Sequence, residues 1–447
     1  MAGDLFMKNK KVFILGMARS GYEAAKILAK DNEVIVNDRD EQDVDQVKEL
    51  ESLGVKVIIG GNPIDLFDDS FDLMVKNPGI KYDHPAVVKA HELGMDVINE
   101  VELAYKYMAK GVNIIGVTGS NGKTTTVTLI YNILKEAGFP VYLGGNIGTP
   151  LCHFVKDLKS GDYLVMEISD HQLCDMYDFK TNVSLLNNIF EVHTDFHDSH
   201  EKYKMTKKKI FNNHTKDDIA IINYDNEEAM EVSKDIPSTK YYFSKNSKQN
   251  VYLLNDAIYY KDEKVIDCKD IKLKGIHNYE NIMGVISVVK LYDVDNKYIF
   301  KVLNTFSGVE HRIEYVDTID GVMYYNDSKA TNCESTKIAL RSFKEPTLLL
   351  LGGLDRGHSF DDLTNDMKNV KYVACYGETN DRIKDYCNRI NVECDIFDNL
   401  VEATKACHEK AVSGDVVLLS PACASWDQYK AFEDRGNEFK DTVKSFK

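Results

Sequence analysis

The chain has 447 residues and a formal net charge of −16 at pH 7. At roughly 150 residues per domain that length suggests three domains, and the charge argues against a nucleic-acid backbone or an anionic membrane as the main partner. Nine scattered cysteines without a C-x-x-C pair give neither a disulfide framework nor a zinc site. No segment approaches a membrane span, and the early run VFILGM is too short for a signal sequence, so a soluble cytoplasmic protein is expected.

The first region opens with KVFILGMARSGYEAAKILAKDNEVIVND: an apolar strand, a tight turn at Gly16 and Gly21, a helix, and a second strand ending in Asp38. It resembles the dinucleotide fingerprint G-x-G-x-x-G with Ala18 in the middle glycine slot, and Asp38 stands where a ribose contact is expected. The geometry suits a diphosphate attached to a ribose, in NAD or in a UDP-linked compound. The short strands KVIIG, LMVKNPG and DVINE complete a parallel-sheet pattern to about residue 105.

The second region begins with NIIGVTGSNGKTT, and Val127, Ile130, Ile133, Leu134 and Ala137 follow at helical spacing. Strand, glycine loop and helix are the setting of a P-loop. Backbone N–H groups of Gly119, Ser120, Asn121 and Gly122 turn toward an anion, Lys123 reaches the β and γ oxygens, and Thr124, followed by Thr125, offers its hydroxyl to Mg²⁺. The loop is a variant, since Val117 occupies the usual first glycine position. YLVMEIS and VSLLNNI read as buried parallel strands, which makes Glu167, at a strand end, a candidate Mg²⁺ ligand. HNYENIMGVISVVKL reads as a helix with Asn278 as its N-cap. KYKMTKKKIF carries five lysines, ordinarily a solvated helix face, although Tyr203 and Lys207 fall four apart.

After Ser307-Gly308 the pattern restarts. RIEYV and GVMYYNDS look like a hairpin, and TLLLLGG, YVACYG and DVVLLSP alternate with helices, giving a third doubly wound unit.

In this order GVTGSNGKTT, GGNIG, EISDHQL, HTDFH, HNYEN, GVEHR, YNDSKATN, LLLGG and LLSPACASWDQYKAFEDRGNEF resemble the Mur ligases along essentially the whole chain. Within that family they look most like the branch that adds D-glutamate. The resemblance implies an α/β protein of three domains: a Rossmann-like domain binding the UDP substrate (1–111), a central P-loop ATPase-like domain (112–308), and a C-terminal Rossmann-like domain contacting D-glutamate and nucleotide (309–447). It implies ligation of D-glutamate to UDP-MurNAc-L-Ala through an acyl phosphate and a tetrahedral intermediate, with ATP and two Mg²⁺ ions, by a monomer.

Carried over residue by residue, the resemblance makes Lys123, Glu167, His193 and Lys207 catalytic, with Thr124, Glu167, His193 and Lys207 near the metal. Lys207, in Tyr-x-x-x-Lys, would be carbamylated, which requires a neutral amine; Lys208 is the fallback if the register slips. Asn281, Arg312 and Asp327 would join the P-loop in holding ATP. Ala18, Arg19, Ser20, Asp38, Arg39, Asn77, Gly79, Asn146 and His193 would meet the UDP substrate, and Lys329, Thr331, Arg356, Ser425 and Phe432 the D-glutamate. Asp170, His171 and Val192 depart from the common family pattern. Cys423 is set aside as a nucleophile, because an acyl phosphate needs no thiolate. Two alternatives stay open: another amide ligase on this scaffold, such as a folylpolyglutamate synthase, and an oxidoreductase using the first region for NAD.

Overall fold

The computed structural model describes residues 8–190, 196–273 and 275–447, apart from the side chain of Glu334. The chain divides into two compact units, Met1–Phe306 with two sheets and Ser307–Lys447 with a third.

The first sheet contains β1 (Lys11–Leu15), β2 (Glu33–Asp38), β3 (Lys56–Ile59), β4 (Leu73–Lys76) and β5 (Asp96–Ile98), all parallel, in the order β3-β2-β1-β4-β5. Val12, Phe13 and Ile14 are each fully buried, as an apolar run covered on both faces must be. The strand order reverses between β1 and β4, which opens a crevice at their carboxyl ends.

The second sheet has nine strands: β6 (Asn113–Thr118), β7 (Val141–Gly145), β8 (Tyr163–Glu167), β9 (Val183–Leu186), β10 (Ile219–Asn223), β11 (Thr239–Ser244), β12 (Val251–Leu254), β13 (Ala257–Tyr260) and β14 (Glu263–Asp267). Their order is β14-β13-β12-β11-β10-β9-β6-β8-β7, parallel as far as β12. β12 to β14 form an antiparallel extension that the parallel pattern did not foresee. Its signal was the pair Asn255-Asp256, both at positive φ, which turns the chain tightly between two short apolar runs.

One hydrophobic core runs between these two sheets, joining Val12, Ile14 and Val75 to Leu164, Met166 and Leu151. Polar contacts reinforce it. The Glu102 carboxylate accepts from the backbone N–H groups of Tyr177, Asp178 and Phe179, and Lys76 pairs with Asp175 at 2.6 Å, almost fully buried.

The third sheet comprises β15 (Glu314–Ile319), β16 (Val322–Asn326), β17 (Thr347–Gly352), β18 (Val370–Tyr376), β19 (Glu393–Phe397) and β20 (Val416–Leu419), in the order β15-β16-β20-β17-β18-β19. Only β15 runs antiparallel, as the hairpin partner of β16. One expected boundary shifts. The helix assigned an Asn278 cap spans Ile276–Val289 and starts from Gly275, whose φ of +107° no capping side chain could adopt cheaply. Among the described residues no helix is long and apolar enough to cross a membrane.

Candidate active site

The carboxyl ends of β6, β7, β8 and β9 lie in register, with Val117 beside Glu167, Gly145 beside Glu167, and Thr118 beside Leu186. The loop after β6 therefore emerges next to the acid that ends β8. Gly119 sits at φ +153° and Gly122 at +80°, and the helix Lys123–Glu136 begins without a side-chain cap, so its first N–H groups point out of the loop. A carbon added at Gly122 would collide with the Asn281 amide, which places that expected nucleotide residue against the loop.

The loop is held from β9. The N–H of Ser120 donates to the Asn188 carbonyl at 2.9 Å, that of Asn121 to Asn188 Oδ1 at 2.9 Å, and Asn187 Nδ2 donates to Thr126 Oγ1 at 2.9 Å. Lys123 Nζ donates to the Gly119 and Ser120 carbonyls at 2.8 and 3.1 Å, so the ammonium is drawn over the loop rather than into solvent. Thr124 is buried, and Thr125 is half-buried on the first turn.

Glu167 is 2% exposed. Its Oε1 accepts from Asn146 Nδ2 at 3.0 Å, while Oε2 is buried without a hydrogen-bond partner. A buried carboxylate oxygen with nothing to offset its desolvation is what a hard cation uses. With the Thr124 hydroxyl nearby in sequence to the loop, the donors present fit Mg²⁺, which keeps several waters and takes one or two carboxylates plus phosphate oxygens. Among the described residues no three His, Cys, Asp or Glu side chains gather as a metal cage. His193 and Val192 lie outside the described residues.

The helix His200–Lys208 turns Lys207, not Lys208, inward: Lys207 is fully buried and Lys208 half-exposed. Lys207 Nζ stands 4.7 Å from the centre of the Tyr203 ring, so the four-residue spacing does bring the two together. It donates to Asp170 Oδ1 at 3.2 Å, and Asp170 Oδ2 meets His197 Nε2 at 2.6 Å. Burial pushes the Lys207 amine down to about 8, helped by the charge of Lys123 and opposed by Asp170. Burial works to raise the Asp170 carboxyl, but the His197 hydrogen bond and the Lys207 charge outweigh it and hold it well below the carboxylate range. His171 packs edge-on against Phe196, 4.1 Å between ring centres. Of the departures from the family pattern, Asp170 is the centre of a Lys207–Asp170–His197 chain, and His171 stacks on His197 with 6.0 Å between ring centres.

In the first-sheet crevice, Ala18 adopts φ +27°, a left-handed backbone in the slot that usually holds glycine. A carbon at Gly21 would strike the Gly16 carbonyl, so the helix packs directly on the turn. Asp38 Oδ2 accepts from the Met17 N–H at 2.7 Å and Oδ1 from the Asp40 N–H at 3.0 Å. Asn77 Nδ2 reaches Ser20 Oγ at 3.5 Å, and its Oδ1 accepts from the Gly79 N–H at 3.0 Å. Arg19 donates to the Gly148 carbonyl at 3.3 Å, whereas Arg39 is exposed and paired bidentately with Asp40.

In the second unit, Asp327 is buried, accepting from the Ile313 N–H at 3.1 Å and the Ser420 hydroxyl at 2.8 Å, and burial pushes its carboxyl up to about 7. These bonds hold a turn in which His311 and Ile313 both take positive φ around the exposed Arg312. For a β-branched residue that is a strained conformation. Lys329 Nζ lies 5.8 Å from the Phe432 ring, and the Thr331 N–H donates to the Lys329 carbonyl at 3.0 Å. Ser425 is buried next to Trp426, on whose ring Arg356 rests.

Sequence reasoning missed three contributors. Asn187 and Asn188 anchor the loop, and their signal was a polar pair directly after a buried strand. Arg435 is fully buried, donating to Ser328 Oγ, the Ser328 carbonyl and the Cys423 carbonyl at 2.9 to 3.1 Å, so it ties NDSKATN to SPACAS. Its signal was an arginine on the apolar i, i+4, i+8 stripe with Phe439 and Val443.

An α/β fold with a lysine-bearing phosphate loop facing an orphaned buried carboxylate defines an enzyme that spends a nucleoside triphosphate. Residues 117–289 match the Mur ligase middle domain, and residues 311–423 match the Mur ligase glutamate ligase domain. The chain is 46% identical over the full length of both proteins to the UDP-N-acetylmuramoylalanine–D-glutamate ligase of Geobacillus sp. strain WCH70, and 44% identical to that of Geobacillus kaustophilus strain HTA426 over 99% of each. It also shares its fold with the UDP-N-acetylmuramate-alanine ligase of Thermotoga maritima, at a TM-score of 0.56 and 18% identity, covering 98% of this chain and 100% of that one. The chain belongs to the Mur ligase family, among relatives named UDP-N-acetylmuramoylalanine–D-glutamate ligase.

Proposed function

We propose that the protein joins D-glutamate to the L-alanine carboxylate of UDP-N-acetylmuramoyl-L-alanine, using ATP and releasing ADP and phosphate, as a step of peptidoglycan precursor synthesis. The observation that carries this reading is full-length identity to ligases of that name, in a chain that holds Lys123, Glu167 and Lys207 at one end of the second sheet.

The geometry and the resemblance together support the following roles. The β1 turn, with Ala18, Arg19 and Ser20, receives the diphosphate, and Asp38 and Asn77 fix the crevice around it. In the loop after β6 the Ser120 and Asn121 N–H groups, expected to face the anion, are taken by Asn188, so Gly122 and the first helical turn receive the triphosphate, and Lys123 neutralises charge as the γ-phosphoryl group moves to the alanine carboxylate. Mg²⁺, when bound through Glu167 and Thr124, supplies the remaining charge compensation between nucleotide and carboxylate. In the second unit Lys329, Thr331, Arg356, Ser425 and Phe432 receive the amino acid, whose amine attacks the acyl phosphate and displaces phosphate through a tetrahedral intermediate. Asn281, Arg312 and Asp327 serve the nucleotide.

Lys207 is buried and its amine is lowered to about 8, so a usable neutral fraction exists near neutral pH. This supports reaction with CO₂ to give a carbamate and a proton, with Asp170 and His197 fixing its position. A ¹³C carbamate resonance in protein equilibrated with ¹³C-bicarbonate, absent from Lys207→Met, is the expected result; identical spectra would remove the modification. The nine free cysteines support a reducing compartment, the cytoplasm.

The decisive experiment is phosphate release from ATP and Mg²⁺ with UDP-MurNAc-L-Ala, with and without D-glutamate, beside L-glutamate, L-alanine and D-alanine. Release that needs both substrates and only D-glutamate is expected. Release with a different amino acid would leave the mechanism and change the acceptor.

A further inference from the structure

Around the loop after β17, three arginines of the second unit are spent in ion pairs and a fourth, the buried Arg435, in hydrogen bonds to Ser328 and Cys423. Arg382 pairs with Asp355 and donates to the His358 carbonyl at 2.6 Å, Arg341 binds Asp366 bidentately, and Arg389 pairs with Asp361 at 2.7 Å. Arg356 differs. Among the described residues it makes no hydrogen bond or ion pair, and its guanidinium rests on the indole of Trp426, 4.8 Å from the ring centre. Trp426 is the chain's sole tryptophan and is 64% exposed, the residue after the buried Ser425.

Local backbone structure explains the meeting. An antiparallel bridge joins Leu354 to Ala424, with the Leu354 N–H donating to the Ala424 carbonyl at 3.0 Å, and each member of the stacked pair lies two residues beyond it. Behind the bridge, Arg435 and Cys423 crowd Gly353 so closely that a side chain there would be strained. The bases of both loops are therefore fixed while Arg356 and Trp426 extend outward.

A guanidinium stacked on an aromatic face keeps its N–H donors at its edge, still available, and gives up little side-chain entropy when it binds. We propose that Trp426 is a positioning residue: it holds Arg356 ready for the distal carboxylate of the incoming amino acid, which the edge of the guanidinium receives while its face stays on the indole. This rests on the amino-acid ligase reading above, in which Arg356 meets the acceptor, and deepens it by adding Trp426 as the residue that orients Arg356. Lys329 beside Phe432 provides a second cation, as a dicarboxylate requires.

The single tryptophan makes the test direct. With UDP-MurNAc-L-Ala, Mg²⁺ and a non-hydrolysable ATP analogue bound, D-glutamate is expected to change the intrinsic emission saturably, D-glutamine to leave it unchanged, and Arg356→Ala to abolish the response. In steady state, Trp426→Ala is expected to raise KM for D-glutamate about two- to five-fold, the worth of an exposed cation–π contact. Its kcat and its KM for ATP stay at wild-type values, and Trp426→Phe restores KM. A silent tryptophan in an enzyme that turns over D-glutamate, or an unchanged KM in Trp426→Ala, overturns the proposal. Wild-type enzyme that releases no phosphate in response to D-glutamate overturns the functional reading and this proposal with it.

Discussion

Two turns of the first unit have the same plan, a parallel strand, a glycine turn and an uncapped helix, yet they are finished differently. After β1 the turn is closed by an acid: Asp38 takes the Met17 N–H. After β6 it is closed by a base, with Lys123 folded over the loop carbonyls. Both helices start without a side-chain cap, so both turns offer positive potential to an anion. Only the second folds a cation back over its own carbonyls, and only the second lies beside a buried carboxylate oxygen that lacks a partner. A diphosphate that is merely held needs N–H groups and shape. A triphosphate that must be cleaved also needs charge where the transition state gathers it. One backbone motif can therefore serve binding or chemistry, depending on a few side chains.

The largest expected effect breaks that contrast. Lys123→Ala removes the cation folded over the second turn, and turnover is expected to fall roughly 10²-fold or more; near-wild-type phosphate release would sink the assignment of Lys123. Gly122→Ala should be nearly as damaging. It needs a left-handed backbone at +80° and forces a carbon into the Asn281 amide. Nucleotide affinity, measured by calorimetry, is expected to drop about ten-fold or more, with the fold intact by circular dichroism. At the first turn, Asp38→Asn should raise KM for the UDP substrate about ten-fold while kcat stays within about two-fold, the mark of lost uniform binding. A kcat loss matching that of Lys123→Ala would erase the distinction between the turns.

Much of this contrast was legible in the sequence, because both turns are local. Gly16, Ala18, Gly21 and Asp38 fall within one strand–helix–strand unit, and Gly119 to Thr124 within another, so spacing alone proposes them. Lys207 was half legible: its spacing from Tyr203 marks a shared helix face, but nothing local says that face is buried. What escaped depends on distant strands meeting. Asn188 reaches the phosphate loop across 67 positions, and Arg435 reaches Ser328 across 107. Asp170 could be seen as a departure from the family, but its bond to Lys207 exists only once the helix His200–Lys208 packs against the end of β8.

The two turns can act together only while the first two sheets share a core, and one buried acid makes that docking sensitive to pH. Glu100 accepts from the Cys152 N–H across the contact, and burial pushes its carboxyl up to about 7 from an ordinary 4.5. The folded state therefore holds the proton more tightly than the unfolded chain. Stability from this group is fully present below about 4.5 and is lost as pH rises through about 7. Glu100→Gln keeps an acceptor and cannot ionise. Relative to wild type it is expected to gain stability between pH 5 and pH 8, by up to about 3 kcal/mol, read as a growing difference in melting temperature. A constant difference across that range would remove Glu100 as the cause.

The smallest expected effect is also the sharpest probe of the first turn. Ala18 carries φ +27° where glycine is usual, a conformation that costs an L-residue about 1 kcal/mol. Ala18→Gly relieves that strain but loosens the unfolded chain and the first helical turn, so the two terms nearly offset and a gain of no more than about 1 kcal/mol is expected. On the proposed reading the Ala18 methyl takes no part in binding, so KM for the UDP substrate should not change. If Ala18→Gly instead raised that KM several-fold at unchanged stability, the methyl group itself would contact the substrate. Ala18 would then join Arg19 and Ser20 in recognising the ligand, and the contrast with the second turn would narrow.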